Sequence, residues 1–159
     1  MGDSYVNPFV LGAQHVFKEM SQEFPLIDKV SVNKLPYKVS EVAVCVDIHG
    51  TLRCQVVYHM AERDARTMAS RMMMGVPVDS LDDEMAQSCL REMANIISGN
   101  ATGIFANQGV EVVITPPQLV FNATAEDFEL AAQATRIVCS SLLFQSADVL
   151  FVDVLIPPQ

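Results

Sequence analysis

The sequence predicts an α+β domain in which a mostly antiparallel β-sheet packs against long helices. Two observations support this fold class. Apolar residues recur at three- and four-residue steps in three segments, and runs rich in Val, Ile and Leu lie elsewhere. The segments follow the order helix, two strands, two helices and further strands, and this grouping is typical of α+β folds. Because no tandem repeat or linker-like stretch interrupts this order, we predict one domain over residues 1–159.

The first helix is predicted over residues 8–24. Asn7 is a favourable N-cap and Pro8 suits the first helical position. One apolar face is formed by Phe9, Ala13, Val16, Phe17 and Met20. Pro25 ends the helix, since proline cannot continue the backbone hydrogen bonds.

Residues 39–48 and 51–60 are predicted to form two strands joined by His49 and Gly50, a pair typical of hairpin turns. A two-residue loop would place Cys45 directly opposite Cys54, where a cross-strand disulfide is geometrically conceivable. We favour two reduced thiols, because disulfides are rare in cytoplasmic proteins.

The second helix is predicted over residues 61–74, ending at Gly75, with Met72, Met73 and Met74 filling the core. The third is predicted to begin after Ser80 as N-cap and to run to about residue 107, with acidic residues in its first turn.

After the third helix come residues 110–115, a Pro-Pro break and residues 118–121. Two strongly apolar strands follow, at about 133–144 and 149–156. Their apolar character suggests edge-to-edge pairing between two copies of the chain. We therefore predict a homodimer.

Composition argues against several classes of function. The formal net charge is −9, so the chain has no general attraction for nucleic acid or anionic membranes. No run of 18 apolar residues and no signal-peptide pattern occurs, which predicts a cytoplasmic protein. The four cysteines lack C-x-x-C spacing, and His15, His49 and His59 are interpreted as surface or turn residues, so no metal site is expected.

The third helix carries the candidate site. Phosphate-loop, dinucleotide, H-E-x-x-H and G-x-S-x-G motifs are absent from the sequence. At about 100° per residue, a buried side is predicted for Ala86, Leu90, Met93, Ala94 and Ile97, with Met85, Cys89 and Ile96 at its border. A polar stripe lies opposite and is formed by Ser88, Glu92, Asn95 and Gly99.

Two glycines on this side of the helix, Gly99 and Gly103, predict that another backbone approaches closely, within the fold or from a partner. A solvated helix face of ordinary composition is the alternative interpretation of the stripe.

The stripe and its surroundings resemble the CheC/CheX/FliY family of chemotaxis phosphatases, and the CheX type in particular. The matching residues are S-x-x-x-E-x-x-N at 88–95 within E-M-A-N-I-I-S-G-N at 92–100, followed by Gly103 and V-E-V-V-I-T-P-P at 110–117. V-N-P-F at 6–9, the hairpin around His49-Gly50 and the helix ending M-M-M-G occur in the family's order. The resemblance covers nearly the whole chain and implies a CheC-like fold.

The resemblance also implies a function, namely removal of phosphate from the aspartate of a CheY-like response regulator. Asn95 would orient the attacking water, Glu92 would pair with a lysine of the regulator, and we expect Ser88 and Gly99 to contact this partner. Mg²⁺ would belong to the regulator, so no cofactor is expected on this chain. Some members carry a second E-x-x-N on the first helix. Here that helix offers only Glu19-x-x-Gln22, which implies one site per chain.

Two alternatives remain open from the sequence. The chain could be a non-catalytic docking module of the same fold that binds a regulator or a flagellar component. It could also be a structural dimerisation domain whose polar stripe arose by chance.

Overall fold

A computed structural model describes residues 2–159, with side chains from residue 6 onward. The helices are α1 (Gly2–Ser21), α2 (Glu62–Met72) and α3 (Glu84–Asn107). The strands are β1 (Leu26–Val32), β2 (Val42–Gly50), β3 (Cys54–Met60), β4 (Val112–Ile114), β5 (Gln118–Phe121), β6 (Arg136–Leu143) and β7 (Val149–Ile156). Two short 3₁₀ turns, Ala125–Asp127 and Glu129–Ala131, precede β6.

Within the described residues, the seven strands form one antiparallel sheet in the order β1-β6-β7-β3-β2-β4, and β5 also pairs with β2. The predicted fold class is therefore confirmed. The Pro-Pro break separates β4 from β5 because proline has no amide hydrogen to donate to a ladder. The two short strands consequently occupy successive parts of the same edge of β2.

The helices cover one face of the sheet, and this side contains the larger hydrophobic cluster. α1 and α3 approach closely: the rings of Phe9 and Phe105 pack edge to face with centroids 5.6 Å apart. A Cβ added at Gly12 would lie 3.0 Å from the carbonyl oxygen of Ile97. Glycine at position 12 therefore lets α1 lie against α3. A smaller cluster, with Tyr37 and Phe128, covers part of the opposite face.

The hairpin register differs from the prediction. The loop comprises residues 51–53, so Cys54 pairs with Ile48 and Cys45 with Val57. Successive strand residues point to opposite faces, so Cys54 contacts the helix-side cluster and Cys45 the opposite cluster. The conceivable disulfide is excluded by this arrangement, and all four cysteines are free.

Several predicted boundaries were wrong. α1 begins at Gly2, so Pro8 lies inside the helix, and it ends at Ser21 rather than at residue 24. Of the three consecutive methionines, Met72 packs against the core, whereas Met74 is 96% exposed. The triple-Met segment is therefore mostly the end of a helix and not core filling.

The sheet edge also differs from the prediction. β6 and β7 lie inside the sheet, each paired on both sides, so the reason given for dimerisation through these strands is wrong. β1, which the sequence did not predict, forms one edge. Its exposed apolar side chains are Leu26, Ile27, Val30 and Val32.

Candidate functional site

The start of α3 is set by a side-chain cap. Asp83 is the N-cap, and its carboxylate accepts a hydrogen bond of 3.1 Å from the amide of Met85. The predicted cap, Ser80, instead accepts from the amide of Asp82 in the preceding turn. Gly109, with φ of 77°, follows the last turn as predicted.

The rotation of α3 about its axis is fixed by its buried side. The predicted residues Ala86, Leu90, Met93, Ala94 and Ile97 are all fully buried, which confirms this part of the helical wheel. Ser98 is buried with them, and its hydroxyl lies 2.8 Å from the hydroxyl of Tyr58 on β3. Burial raises the pKa of Tyr58, so both groups stay neutral and share one hydrogen bond. The opposite side of α3 must therefore face outward.

The outward side forms one wall of an open groove of about 530 Å³. α3 contributes Ser88, Arg91, Glu92 and Asn95. The opposite wall is formed by Ile114 at the end of β4 and by Thr115, Pro116 and Pro117 in the connection to β5. The structure thus brings Ser88, Glu92 and Asn95 together as predicted. Gly99 is exposed but does not line the groove.

The second wall is held in place by long-range contacts with β2. The Thr115 amide donates to the carbonyl of Asp47, and the Asp47 amide donates to the Thr115 hydroxyl, both at 3.0 Å. At Gly50, where φ is 127°, an added Cβ would lie 2.5 Å from the carbonyl oxygen of Glu111. Glycine there lets the strand leading to this wall lie against the hairpin. The two prolines then form a stiff rim without amide donors.

Three polar side chains of the groove have no partner among the side chains that the structure describes. Within residues 6–159, Arg91, Glu92 and Asn95 have no side-chain hydrogen bond or ion pair. Glu92 is exposed, whereas Arg91 and Asn95 are half-buried. The groove therefore offers a carboxylate acceptor, a guanidinium donor and a carboxamide that can both donate and accept.

Arg91 and the proline rim were missed as site residues by the sequence reasoning. Arg91 precedes Asn95 by four residues and follows Ser88 by three, so helical spacing already placed it beside the stripe. The rim depends on the pairing of β4 with β2, and no local sequence pattern reports that pairing.

The predicted close approach of a backbone at Gly99 and Gly103 does not occur within the fold. A Cβ added at either glycine would meet no atom within 4 Å among the described residues. The two glycines therefore leave a bare helix surface. Of the two predicted origins of a close backbone, only a binding partner remains.

A second group of polar side chains, around His59 and Asp153, is structural. His59 is buried, in contrast to the prediction, and its Nε2 lies 2.7 Å from Asp153. The backbone amide of Ser40 donates to His59 Nδ1 at 3.0 Å, so the ring proton must be on Nε2. Because that amide occupies the Nδ1 lone pair, His59 cannot serve as a base for the Ser40 hydroxyl.

A second hollow of about 410 Å³ is lined by Glu41, Glu62 and Asp82 and shares no lining residue with the groove. Three carboxylates repel an anionic ligand, so this hollow does not suit a phosphate. Within the described part of the chain, no group of three or more His, Cys, Asp or Glu side chains is arranged to hold a metal ion.

A family model described as chemotaxis phosphatase CheX matches residues 42–140, which is more than half of the chain. The chain belongs to this family. The matched region contains β2 to β5 and α3, and hence both walls of the groove. No curated protein sequence matches the chain significantly. None of the helices described between residues 2 and 159 is long and apolar enough to cross a membrane.

Solved structures of CheX and CheC-like proteins share the fold of the whole chain. CheX from Desulfovibrio desulfuricans has a TM-score of 0.79 at 16% identity, covering 96% of this chain and 99% of its own. A CheC-like protein from Shewanella sp. PV-4 has a TM-score of 0.81 at 16% identity, covering 99% and 100%. CheX from Borrelia burgdorferi, solved in a complex with CheY, BeF₃ and Mg²⁺, has a TM-score of 0.72 at 21% identity, covering 97% and 98%. At these identities the comparisons establish the fold.

Proposed function

We propose that this protein hydrolyses the aspartyl phosphate of a CheY-like response regulator, with α3 as the catalytic element. One observation carries the proposal: Glu92 and Asn95 lie side by side in an open groove, on a helix whose orientation is fixed by its buried side, and neither side chain has a hydrogen-bond or ion-pair partner among the described residues. Membership of the chemotaxis phosphatase family supports it. The CheY complex of the Borrelia relative supports a response regulator as the partner.

The proposed role of Asn95 is to position water. A carboxamide can accept one hydrogen bond from a water molecule and donate another to it, which fixes the water's orientation for in-line attack on phosphorus. Asn95 lines the groove and is half-buried. Among the described residues its side chain has no hydrogen bond that would compete with this role. The chemistry requires little else, because phosphoryl transfer depends chiefly on positioning and electrostatic stabilisation.

The proposed role of Glu92 is to pair with a lysine of the regulator. Its carboxylate is exposed one helical turn from Asn95, where an approaching protein meets it first. A charge pair formed on docking fixes the register between the two proteins and raises affinity. The regulator would carry the phosphoryl group and its Mg²⁺, and Ser88 and Gly99 would contact its surface.

The shape of the site suits a protein substrate. The groove is open, and the α3 surface extends beyond it through Gly99 and Gly103, where no described atom lies within 4 Å of an added Cβ. A projecting phospho-aspartate loop could enter the groove while its flanks rest on this bare surface. A small metabolite would gain little from such an open site, because small-ligand sites usually enclose most of the ligand.

The test is the decay of phosphate from isotopically labelled response regulators of the source cell, with and without the protein. We expect one regulator or a small subset to lose phosphate faster. Asn107→Ala is the matched control for the Asn95→Ala variant, since Asn107 is an exposed asparagine at the far end of α3 and outside the groove. Binding without faster decay would support the docking-module alternative, and absence of both effects for all regulators would refute the proposal.

A further inference from the structure

We propose that Arg91 contacts the phosphoryl group of the regulator and makes docking depend on phosphorylation. This inference rests on the proposed function and adds a substrate-recognition residue to the same site. Arg91 lines the groove with Glu92 and Asn95, although the E-x-x-N spacing does not include it.

The position of Arg91 places its guanidinium within reach of the proposed reaction centre. It lies one turn before Asn95 on the same helix, so their Cβ atoms are about 6 Å apart. The arginine side chain is long enough to span that distance along the groove. It is half-buried, which limits the solvent that would weaken its interaction with an anion.

No carboxylate on the neighbouring turns of α3 is spaced to pair with the positive charge of Arg91. Residues three and four positions away are Gln87, Ser88, Ala94 and Asn95, and none of them is a carboxylate. Arg71 shows the contrast, since it pairs with Asp148 and Glu23. Among the residues that the structure describes, Arg91 has no such partner.

Arg91 lines the groove and has no carboxylate partner among the described residues, so its guanidinium is available to an anion supplied by the partner, even in a chain with net charge −9. The planar guanidinium matches phosphate oxygens bidentately, and charge-assisted hydrogen bonds of this kind are stronger than neutral ones. The alternative anion is a carboxylate on the regulator surface, which would be present whether or not the regulator is phosphorylated.

The experiment compares Arg91→Ala and Arg91→Lys with wild type, Asn95→Ala and a matched control, Arg53→Ala. Arg53 is exposed on the hairpin loop and does not line the groove. Affinity is measured for the regulator in its unmodified form and in its beryllofluoride-activated form, and the hydrolysis rate is measured in single-turnover reactions. Melting temperature confirms that each variant is folded.

We expect Arg91→Ala to lose about tenfold in affinity for the beryllofluoride form and about tenfold in single-turnover rate, with unchanged affinity for the unmodified form. Arg91→Lys should retain part of both, and Arg53→Ala should match wild type. Equal losses for both regulator forms would show a carboxylate contact and overturn the inference. Wild-type behaviour of Arg91→Ala, with Asn95→Ala inactive, would overturn it while leaving the proposed function intact. A wild-type protein without effect on any regulator would remove both.

Discussion

Replacement of Asn95 by alanine tests the proposed chemistry most directly. The side chain is half-buried and makes no hydrogen bond among the described residues, so its removal leaves no buried polar group unpaired. We therefore expect the melting temperature to change by no more than a few degrees. The fold and the carboxylate of Glu92, the proposed docking charge, stay in place.

The expected catalytic cost of Asn95→Ala follows from the role of one carboxamide holding one water. Loss of a single preorganised hydrogen-bonding group at a reacting centre typically slows a reaction roughly 100-fold or more, equivalent to about 2.7 kcal/mol of activation free energy. Asn95→Asp preserves the shape but introduces a negative charge beside the phosphoryl group, so it should be at least as slow. Glu92→Ala should instead weaken regulator binding together with the rate, because it removes the proposed partner of the regulator's lysine.

The assay is single-turnover dephosphorylation of a saturated complex, which separates the chemical step from binding. Affinity for the regulator is measured separately for each variant. Asn107→Ala on the same helix controls for loss of an exposed asparagine. If Asn95→Ala is folded, binds its regulator and dephosphorylates it at the normal rate, the mechanism proposed for this groove is wrong.

Four further predictions concern the rest of the molecule. Gly103→Ala should raise the melting temperature by about 2–4 °C, since it gains helix propensity of up to about 1 kcal/mol and the added Cβ meets open space; an unchanged or lowered value in a thermal melt would contradict this. Burial acts to raise the pKa of Asp148, but hydrogen bonds from Arg71 and Ser146 outweigh it, so the pKa in the folded state is lowered. The ionised carboxylate therefore stabilises the fold fully above the ordinary carboxyl pKa of about 4, and this contribution is lost as pH falls below it. Arg71→Ala should lower the free energy of unfolding by about 3 kcal/mol at pH 7. In urea unfolding, the stability of this variant should also fall less steeply as the pH is lowered. In timed alkylation followed by mass spectrometry, Cys89 should react first, because burial raises its thiol pKa by less than it raises that of Cys54, which reaches about 12. Protection of any two thiols as a disulfide would contradict the free-thiol prediction. Light scattering should give a dimer of about twice 17.4 kDa, and Val30→Lys on the β1 edge should convert it to a monomer; a monomeric wild type would remove this prediction.

The existence and type of the elements with strong periodicity were predicted correctly. α3, β2, β3, β6 and β7 are each largely buried on at least one face, and a largely buried face is mostly apolar in the period of its element. β1 was missed because it has no such face. All but one of its residues are exposed, so its sequence does not alternate between core and solvent.

Errors of register and boundary arose where distant parts of the chain decide the outcome. The hairpin loop lies at residues 51–53 because the Thr51 amide bonds to the Glu111 carbonyl and Gly50 admits that strand closely. A local turn pattern at His49-Gly50 contains no information about Glu111. Because the register differs from the one considered from the sequence, Cys45 and Cys54 do not lie opposite each other.

The candidate site divides in the same way into a local and a distant part. The spacing of Ser88, Glu92 and Asn95 requires them to share a face wherever a helix forms, and the Tyr58–Ser98 contact then turns that face outward. The opposing rim exists only because β4 pairs with the end of β2, 62 to 66 residues earlier in the chain, which no helical wheel can show. That rim is also what distinguishes Arg91 from an ordinary solvated arginine, since it turns one side of a helix into a groove in which Arg91 lies beside Asn95. Helix spacing therefore predicts which groups act together, and sheet pairing determines what they can bind.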